Sequence, residues 1–395
     1  MGNTLPQITS YRSLKIPKIK SPCSTIKKSR SLREYTRNTS LVTNCVNSNN
    51  NNRRNISFSR PRSLPPTDAE IIDIHALRCE MSTSNIDEGE KQLIKQLNYI
   101  HSCVRKDKGL FGKITENLQN KHIFSNDEPE NTHILEQTPD EYNMDYQSIY
   151  LQTLDGEFIH AYWIYQVGDI NSTTTILYLH GAGGNISHRL EVLQLFHENI
   201  HCNILIIDYR GFGKSSGVPS ELGLYIDAQA AYDYLIYKQK ILPENIIVLG
   251  TSLGASVAIQ LVSDPLNRVK VAIFENAFIS VPEIAKYFLT YAKSVIGITK
   301  SIGFIYLFDS LPKVRRIECP CIYLTGLLDP LIPTWMSNTL YNETLSSTKR
   351  QLYEYPFGKH NDLPVMKDYF ENIQSFINEL SLIKSAETDQ LVLRQ

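Results

Sequence analysis

Residues Ile246–Ala255 read IIVLGTSLGA. The run Ile246–Leu249 has the β-branched, apolar composition of a buried strand, and the residues after Ser252 (LGASVAIQLV) suit a helix. Between them stands Gly250-Thr251-Ser252-Leu253-Gly254. A strand that turns directly into a helix forces the central serine into a strained backbone conformation, and glycines two residues either side leave room for the neighbouring strand and helix. The hydroxyl is lifted above the sheet, and the helix N-terminus offers N–H groups to a developing anion. Ser252 is therefore a candidate nucleophile and the Leu253 N–H a candidate oxyanion donor. A helix N-cap serine is the plainer reading of G-x-S-x-G alone; the strand before it and the helix after it favour the nucleophile.

Outward from this stretch, apolar runs alternate with helical patterns. Strands are expected at Thr174–His180, Asn203–Asp208, Asn245–Thr251, Val269–Phe274, Cys321–Thr325 and Gln351–Tyr355, with helices near Arg189–Glu198, Leu222–Tyr237, Leu253–Ser263, Pro333–Leu345 and Met366–Leu380. Near-continuous apolar strands separated by helices indicate a mostly parallel sheet covered on both faces. Two earlier strands, Ser148–Thr153 and Phe158–Tyr165, are joined through Asp155-Gly156, a hairpin turn signal.

Later strand ends supply the partners that a serine nucleophile requires. Asp329 stands on the turn LLDPLIP after the strand CIYLTG, and His360 in PFGKHND after the last strand. Neutral His360 would take the Ser252 proton and return it to the leaving group, while Asp329 fixes the imidazole tautomer and stabilises the cation. After the strand TILYLH, the loop His180-Gly181-Ala182-Gly183-Gly184-Asn185 offers a second oxyanion donor, assigned to the Ala182 N–H. No G-x-G-x-x-G or P-loop pattern accompanies these glycines, which disfavours a phosphate cradle. His180, His188 and His201 read as structural, Asp208 as a brace of its loop, and Asp362 as a helix N-cap.

The blocks LYLHGAGGNISHRL, IDYRGFGKSSGVPSELGLYIDAQAA, GTSLGASVAI, FENAFIS, LTGLLDPLIP and GKHND, in this order over about residues 140–380, resemble the alpha/beta-hydrolase domain-containing protein 13 subfamily. That group is close to the domain-containing protein 17 depalmitoylases and, more distantly, to the type 12 lysophospholipid lipases. The resemblance implies an α/β-hydrolase fold and a serine hydrolase acting on acyl esters or thioesters, with no metal or organic cofactor and a triad on Ser252, Asp329 and His360. The oxyanion loop departs from the usual His-Gly-Asn-Ala-Gly-Asn by Ala182 and Gly183, which retains the main-chain donor. The competing reading is a non-catalytic scaffold or ligand binder of the same fold.

Composition sets the surroundings. The 395 residues carry a net charge of −1, unevenly placed. Up to Pro66 there are thirteen Lys and Arg against one acid, Glu34, a net of +12, in a Ser/Asn-rich stretch that reads as disordered. Residues 67–140 read as a helical arm or pre-domain, on the pattern Leu93, Ile94, Leu97, Ile100, His101 and Val104; 141–385 form the catalytic domain; 386–395 read as a flexible end. An insertion at about 276–316 reads as a cap. In it Lys286, Lys293 and Lys300 recur every seven residues opposite an apolar face, and the stretch Phe288–Phe308 is expected to overhang Ser252. The bland reading of the cap is a lid helix packed on the core. Seven cysteines without metal spacing read as reduced and structural, and no signal peptide or spanning segment is visible, so the expected location is the cytoplasm. The basic tail suggests electrostatic contact with anionic lipid rather than nucleic acid. Within it, Arg60-Pro61-Arg62-Ser63-Leu64-Pro65 offers Ser63 to a basophilic kinase and a phosphoserine-binding adaptor, unless the match is chance.

Overall fold

The computed structural model describes residues 64–81, 119–168, 173–291 and 306–392. The tail with Ser63, the pattern Leu93–Val104 and the cap residues Lys293, Lys300 and Phe304 lie outside the described residues. Nine strands form one sheet: β1 (Glu70–Asp73), β2 (Tyr146–Gln152), β3 (Phe158–Ile164), β4 (Thr175–Leu179), β5 (Asn203–Ile207), β6 (Ile246–Thr251), β7 (Val271–Glu275), β8 (Cys321–Gly326) and β9 (Arg350–Tyr355). Their spatial order is β1-β2-β3-β5-β4-β6-β7-β8-β9. β3 runs antiparallel to both of its neighbours, β2 and β5, and the other pairs are parallel. This is the mostly parallel, doubly covered sheet that the alternating pattern predicts, and the α/β-hydrolase architecture that the resemblance implies.

Strand alternation divides the core into two layers. Leu177, Leu205, Val248, Ala272 and Tyr323 point to one face, where they meet helices α3 (Glu221–Asp233) and α4 (Leu253–Val262) through Leu224, Ala228, Val257 and Leu261. Ile176, Ile206, Ile247, Ile273 and Ile322 point to the other, where α2 (Leu190–Ile200) and α8 (Tyr369–Val392) contribute Leu193, Phe196, Ile373 and Phe376. Central strands covered twice must be apolar at every position, which is why TILYL, NILII and IIVLGT lack the alternation of a half-exposed strand. Each fully buried aliphatic side chain stabilises the fold by about 1.5–3 kcal/mol.

The remaining helices are α1 (Ile74–Met81), α5 (Val281–Tyr291), α6 (Leu311–Val314) and α7 (Thr334–Glu343). Two expectations are corrected. The segment 67–140 is not a separate arm where it is described: β1 pairs in parallel with β2, Ile72 and Ile74 are buried, and Phe124 enters the main core. The last helix runs to Val392, through most of the stretch expected as a flexible end. Among the described residues no helix is long and apolar enough to cross a membrane. The described thiols Cys202, Cys319 and Cys321 are free, and burial pushes Cys321 up to about 11, which suits a structural role.

Candidate active site

Ser252 joins the end of β6 to the start of α4 with φ 55° and ψ −115°, a region that side-chain-bearing residues rarely occupy. The flanking glycines are obligatory for steric reasons. A Cβ on Gly250 would lie 2.2 Å from the Gly254 carbonyl oxygen, and one on Gly254 would lie 1.9 Å from that of Leu179. The serine N–H donates to the Glu275 carbonyl at 2.9 Å, which anchors the turn to β7.

Three separate strand ends then converge. Ser252 Oγ lies 3.0 Å from His360 Nε2, and His360 Nδ1 lies 2.7 Å from Asp329 Oδ2. The Asp329 side chain is fully buried, and its Oδ1 accepts the N–H groups of Leu331 at 2.7 Å and Ile332 at 3.0 Å. Two amide donors fix the direction of the carboxylate, so it holds the proton on Nδ1 and leaves Nε2 free to accept from the serine. The loops of Asp329 and His360 are tied together: Leu327 N–H donates to Tyr355 O at 3.0 Å and Leu328 N–H to Gly358 O at 2.9 Å. Asn276, buried at φ 46°, accepts from Gly326 N–H at 3.0 Å and donates to the His360 carbonyl at 3.0 Å. Asp362, expected as a helix cap, makes no such cap and turns back to accept the Lys359 N–H at 2.5 Å.

The glycine loop borders the serine: a Cβ on Gly181 would lie 3.3 Å from Thr251 O and 3.4 Å from Ser252 Cβ. Gly183 N–H donates to Phe124 O at 2.9 Å, Gly184 N–H to Glu128 O at 2.7 Å, and Asn185 N–H to His188 Nδ1 at 3.1 Å. Among the described residues the N–H groups of Ala182 and Leu253 have no hydrogen-bond partner, as donors for a developing oxyanion require. His180 Nδ1 donates to the Gly181 carbonyl at 2.7 Å. That peptide also carries the Ala182 N–H, which must point the opposite way in a trans unit. Burial pulls the His180 imidazole down to about 4, so it stays neutral as a donor at this position. Asp208 braces the same loop by accepting Ile186 N–H at 2.9 Å.

Sequence reading missed Asn276, whose role depends on loops 50 and 84 residues away, and the part played by Phe124. It also placed Tyr306, within Phe288–Phe308, in a stretch overhanging Ser252. Tyr306 is 5% exposed and packs edge-on against Phe124 at 5.2 Å, so it belongs to the core beneath the glycine loop. Exposed hydrocarbon stands also on the loops that carry the acid and the imidazole: Leu327, Leu328, Leu331 and Phe357. A cavity of about 360 Å³ elsewhere is lined by Arg78, Tyr225, Gln229, Leu261, Asn267 and Arg316 among others, and by no residue of this centre. Among the described residues no group of three or more His, Cys, Asp or Glu side chains is placed to hold a metal ion.

Comparison with known proteins agrees with the fold. Residues 174–295 match the family model described as alpha/beta hydrolase fold. The chain is 34% identical over 243 residues to protein bem46 of Schizosaccharomyces pombe, covering 61% of this chain and 80% of that protein. The chain belongs to the alpha/beta-hydrolase family. It is also 33% identical over 233 residues to the alpha/beta hydrolase domain-containing protein WAV2 of Arabidopsis thaliana, covering 57% of this chain and 75% of that one. Among solved structures it is similar in fold to the Pyrococcus furiosus esterase Pf2001, with a TM-score of 0.52 and 20% identity over 62% of this chain and 95% of that one. For this alpha/beta hydrolase, hydrolysis is thus the general reaction class; the bond cleaved is a separate question.

Proposed function

We propose that the protein is a serine hydrolase that cleaves acyl esters or thioesters through an acyl-enzyme. The observation that carries the proposal is the continuous contact from Ser252 Oγ through His360 to the buried Asp329, at 3.0 and 2.7 Å, with the serine on a strained turn. Ser252 Oγ attacks the acyl carbon and loses its proton to His360 Nε2. The tetrahedral oxyanion is held by the N–H groups of Ala182 and Leu253. Its collapse breaks the bond to the alcohol or thiol, which leaves with the proton from His360, and Ser252 remains acylated. Water, deprotonated by His360, then attacks the acyl carbon and releases the carboxylic acid and free Ser252.

The exposed Leu327, Leu328, Leu331 and Phe357 favour an acyl chain over a small polar acyl group. Each methylene buried on them contributes up to about 0.8 kcal/mol to transition-state binding, nearly fourfold in kcat/KM. The test is a series of nitrophenyl esters and acyl thioesters graded by chain length. The expected result is kcat/KM rising from acetyl to octanoyl, and loss of turnover by roughly 10⁴–10⁶ in Ser252→Ala. Turnover that survives in Ser252→Ala would remove the proposal. A preference for acetyl over octanoyl would leave the mechanism and remove the acyl-chain reading.

A further inference from the structure

One strand away from the nucleophile, the proposed mechanism leaves a buried carboxyl unused. Glu275 ends β7, is 3% exposed, and pairs across the sheet with Thr251, the residue before Ser252. Its carbonyl accepts the Ser252 N–H, and its Oε2 accepts the Tyr369 hydroxyl of α8 at 2.6 Å. The next residue, Asn276, holds the His360 carbonyl. The titratable groups that act on Glu275, or are acted on by it, are Tyr178 of β4, Asp329, Tyr355 of β9, His360, Asp362 and Tyr369. Of these, only His360 can carry a positive charge.

A carboxyl in a dry site without a cationic partner keeps its proton beyond the ordinary carboxylate range. Burial pushes Glu275 up to about 7; the Tyr369 hydroxyl and His360 act in the opposite direction, and the charges of Asp362 and Asp329 reinforce the rise. The carboxyl therefore changes charge near neutrality, at the strand end that holds the Ser252 N–H and, through Asn276, the His360 carbonyl.

We propose that Glu275 is a second carboxyl of this centre, a positioning residue that acts through His360 by the charge it carries at the end of β7. Asp329 fixes the tautomer; the Glu275 carboxyl, bonded to the Tyr369 hydroxyl, makes no hydrogen bond to the Ser252 hydroxyl. When its proton leaves to solvent, the resulting carboxylate favours the imidazolium formed as Ser252 attacks. When protonated, it leaves the imidazole with the Asp329 carboxylate that contacts it. The inference rests on the triad reading above, and its test separates the two.

His360 is followed in the full-length chain by NMR of ε1-13C-labelled histidine, with H360A identifying its resonance. The pH dependence of Ser252 labelling by a fluorophosphonate is measured beside it. E275Q keeps an acceptor for Tyr369 and cannot ionise. The titration midpoint of the His360 resonance and the acid limb of labelling should both move to lower pH in E275Q, by about half a unit or more, the scale of a screened interaction between neighbouring buried charges. E275D, which restores a charge, should move them back. An unchanged midpoint in folded E275Q overturns the inference and leaves Glu275 as an acceptor for Tyr369. Should E275Q fail to fold, Y369F reads the same link. Losing that hydroxyl keeps Glu275 neutral to higher pH, so the midpoint should again fall, and an unmoved midpoint again overturns the inference. A shifted midpoint in a protein whose Ser252 never labels retains the electrostatic link and removes the hydrolase reading.

Discussion

Ser252 holds a backbone conformation that costs about 1–3 kcal/mol, and it persists because the surroundings permit no other path. Gly250 and Gly254 are the means: each faces main-chain atoms that cannot retreat, at 2.2 and 1.9 Å from an added Cβ. Gly254→Ala should therefore lose more than about 3 kcal/mol in denaturant unfolding, as overpacking against backbone does. A variant of wild-type stability would show that the elbow is not as tight as described. The acids divide by what their oxygens touch. Asp329 reaches the imidazole at 2.7 Å, whereas Asp362 is spent on the Lys359 N–H. Asp329→Asn should lower turnover by up to about 10⁴, through loss of the tautomer. Asp362→Asn should cost far less, and the reverse order in a kcat comparison would exchange their roles.

At the scale of elements, the end of β7 is where the sheet and the centre meet. Glu275 has an ordinary value of 4.5 and is raised to about 7 in the folded chain, so the fold holds a proton that the unfolded chain releases. Its contribution to stability is complete below pH 4.5 and is lost as pH rises towards 7, by at most about 3 kcal/mol. Glu275→Gln lacks that slope, and its stability relative to wild type should improve from pH 5 to 8 in urea titrations. A gap that stays constant with pH would mean the carboxyl is ionised in the fold throughout. Glu275 also shows why part of the architecture was legible in the sequence and part was not. Strands such as TILYL and NILII announce themselves because both faces are buried. The reading of β7 stopped at Phe274, since a glutamate looks like a strand's exit, and the partner that buries it, Tyr369, is 94 residues away. β1 was missed for the same kind of reason: EIID is four residues with two acids, and only pairing with β2 makes it a strand. Ser252, Asp329 and His360 were legible because each follows closely on the end of a strand. Tyr306 was misplaced because an apolar residue in an insertion carries no mark of whether it lines a channel or packs on Phe124.

Across the whole molecule, charge and chemistry occupy different parts of the chain. The sheet begins at Glu70 and every residue of the centre follows that point in the chain, whereas the net +12 lies before it. Removing residues 1–63 should leave hydrolysis of a small soluble ester unchanged and weaken flotation with anionic vesicles. On the full chain, 1 M salt should have the same effect on vesicle binding, because the Debye length there is about 3 Å. Loss of soluble-ester activity on truncation would show that the tail supports the body. The central claim, that Ser252 is an activated nucleophile, meets its most direct test in site-resolved mass spectrometry of the folded full-length protein after treatment with a fluorophosphonate. The account predicts a single adduct on the peptide containing Gly250-Thr251-Ser252-Leu253-Gly254, absent from Ser252→Ala and strongly slowed in His360→Ala. An adduct on another residue, or none on a correctly folded chain, would contradict it.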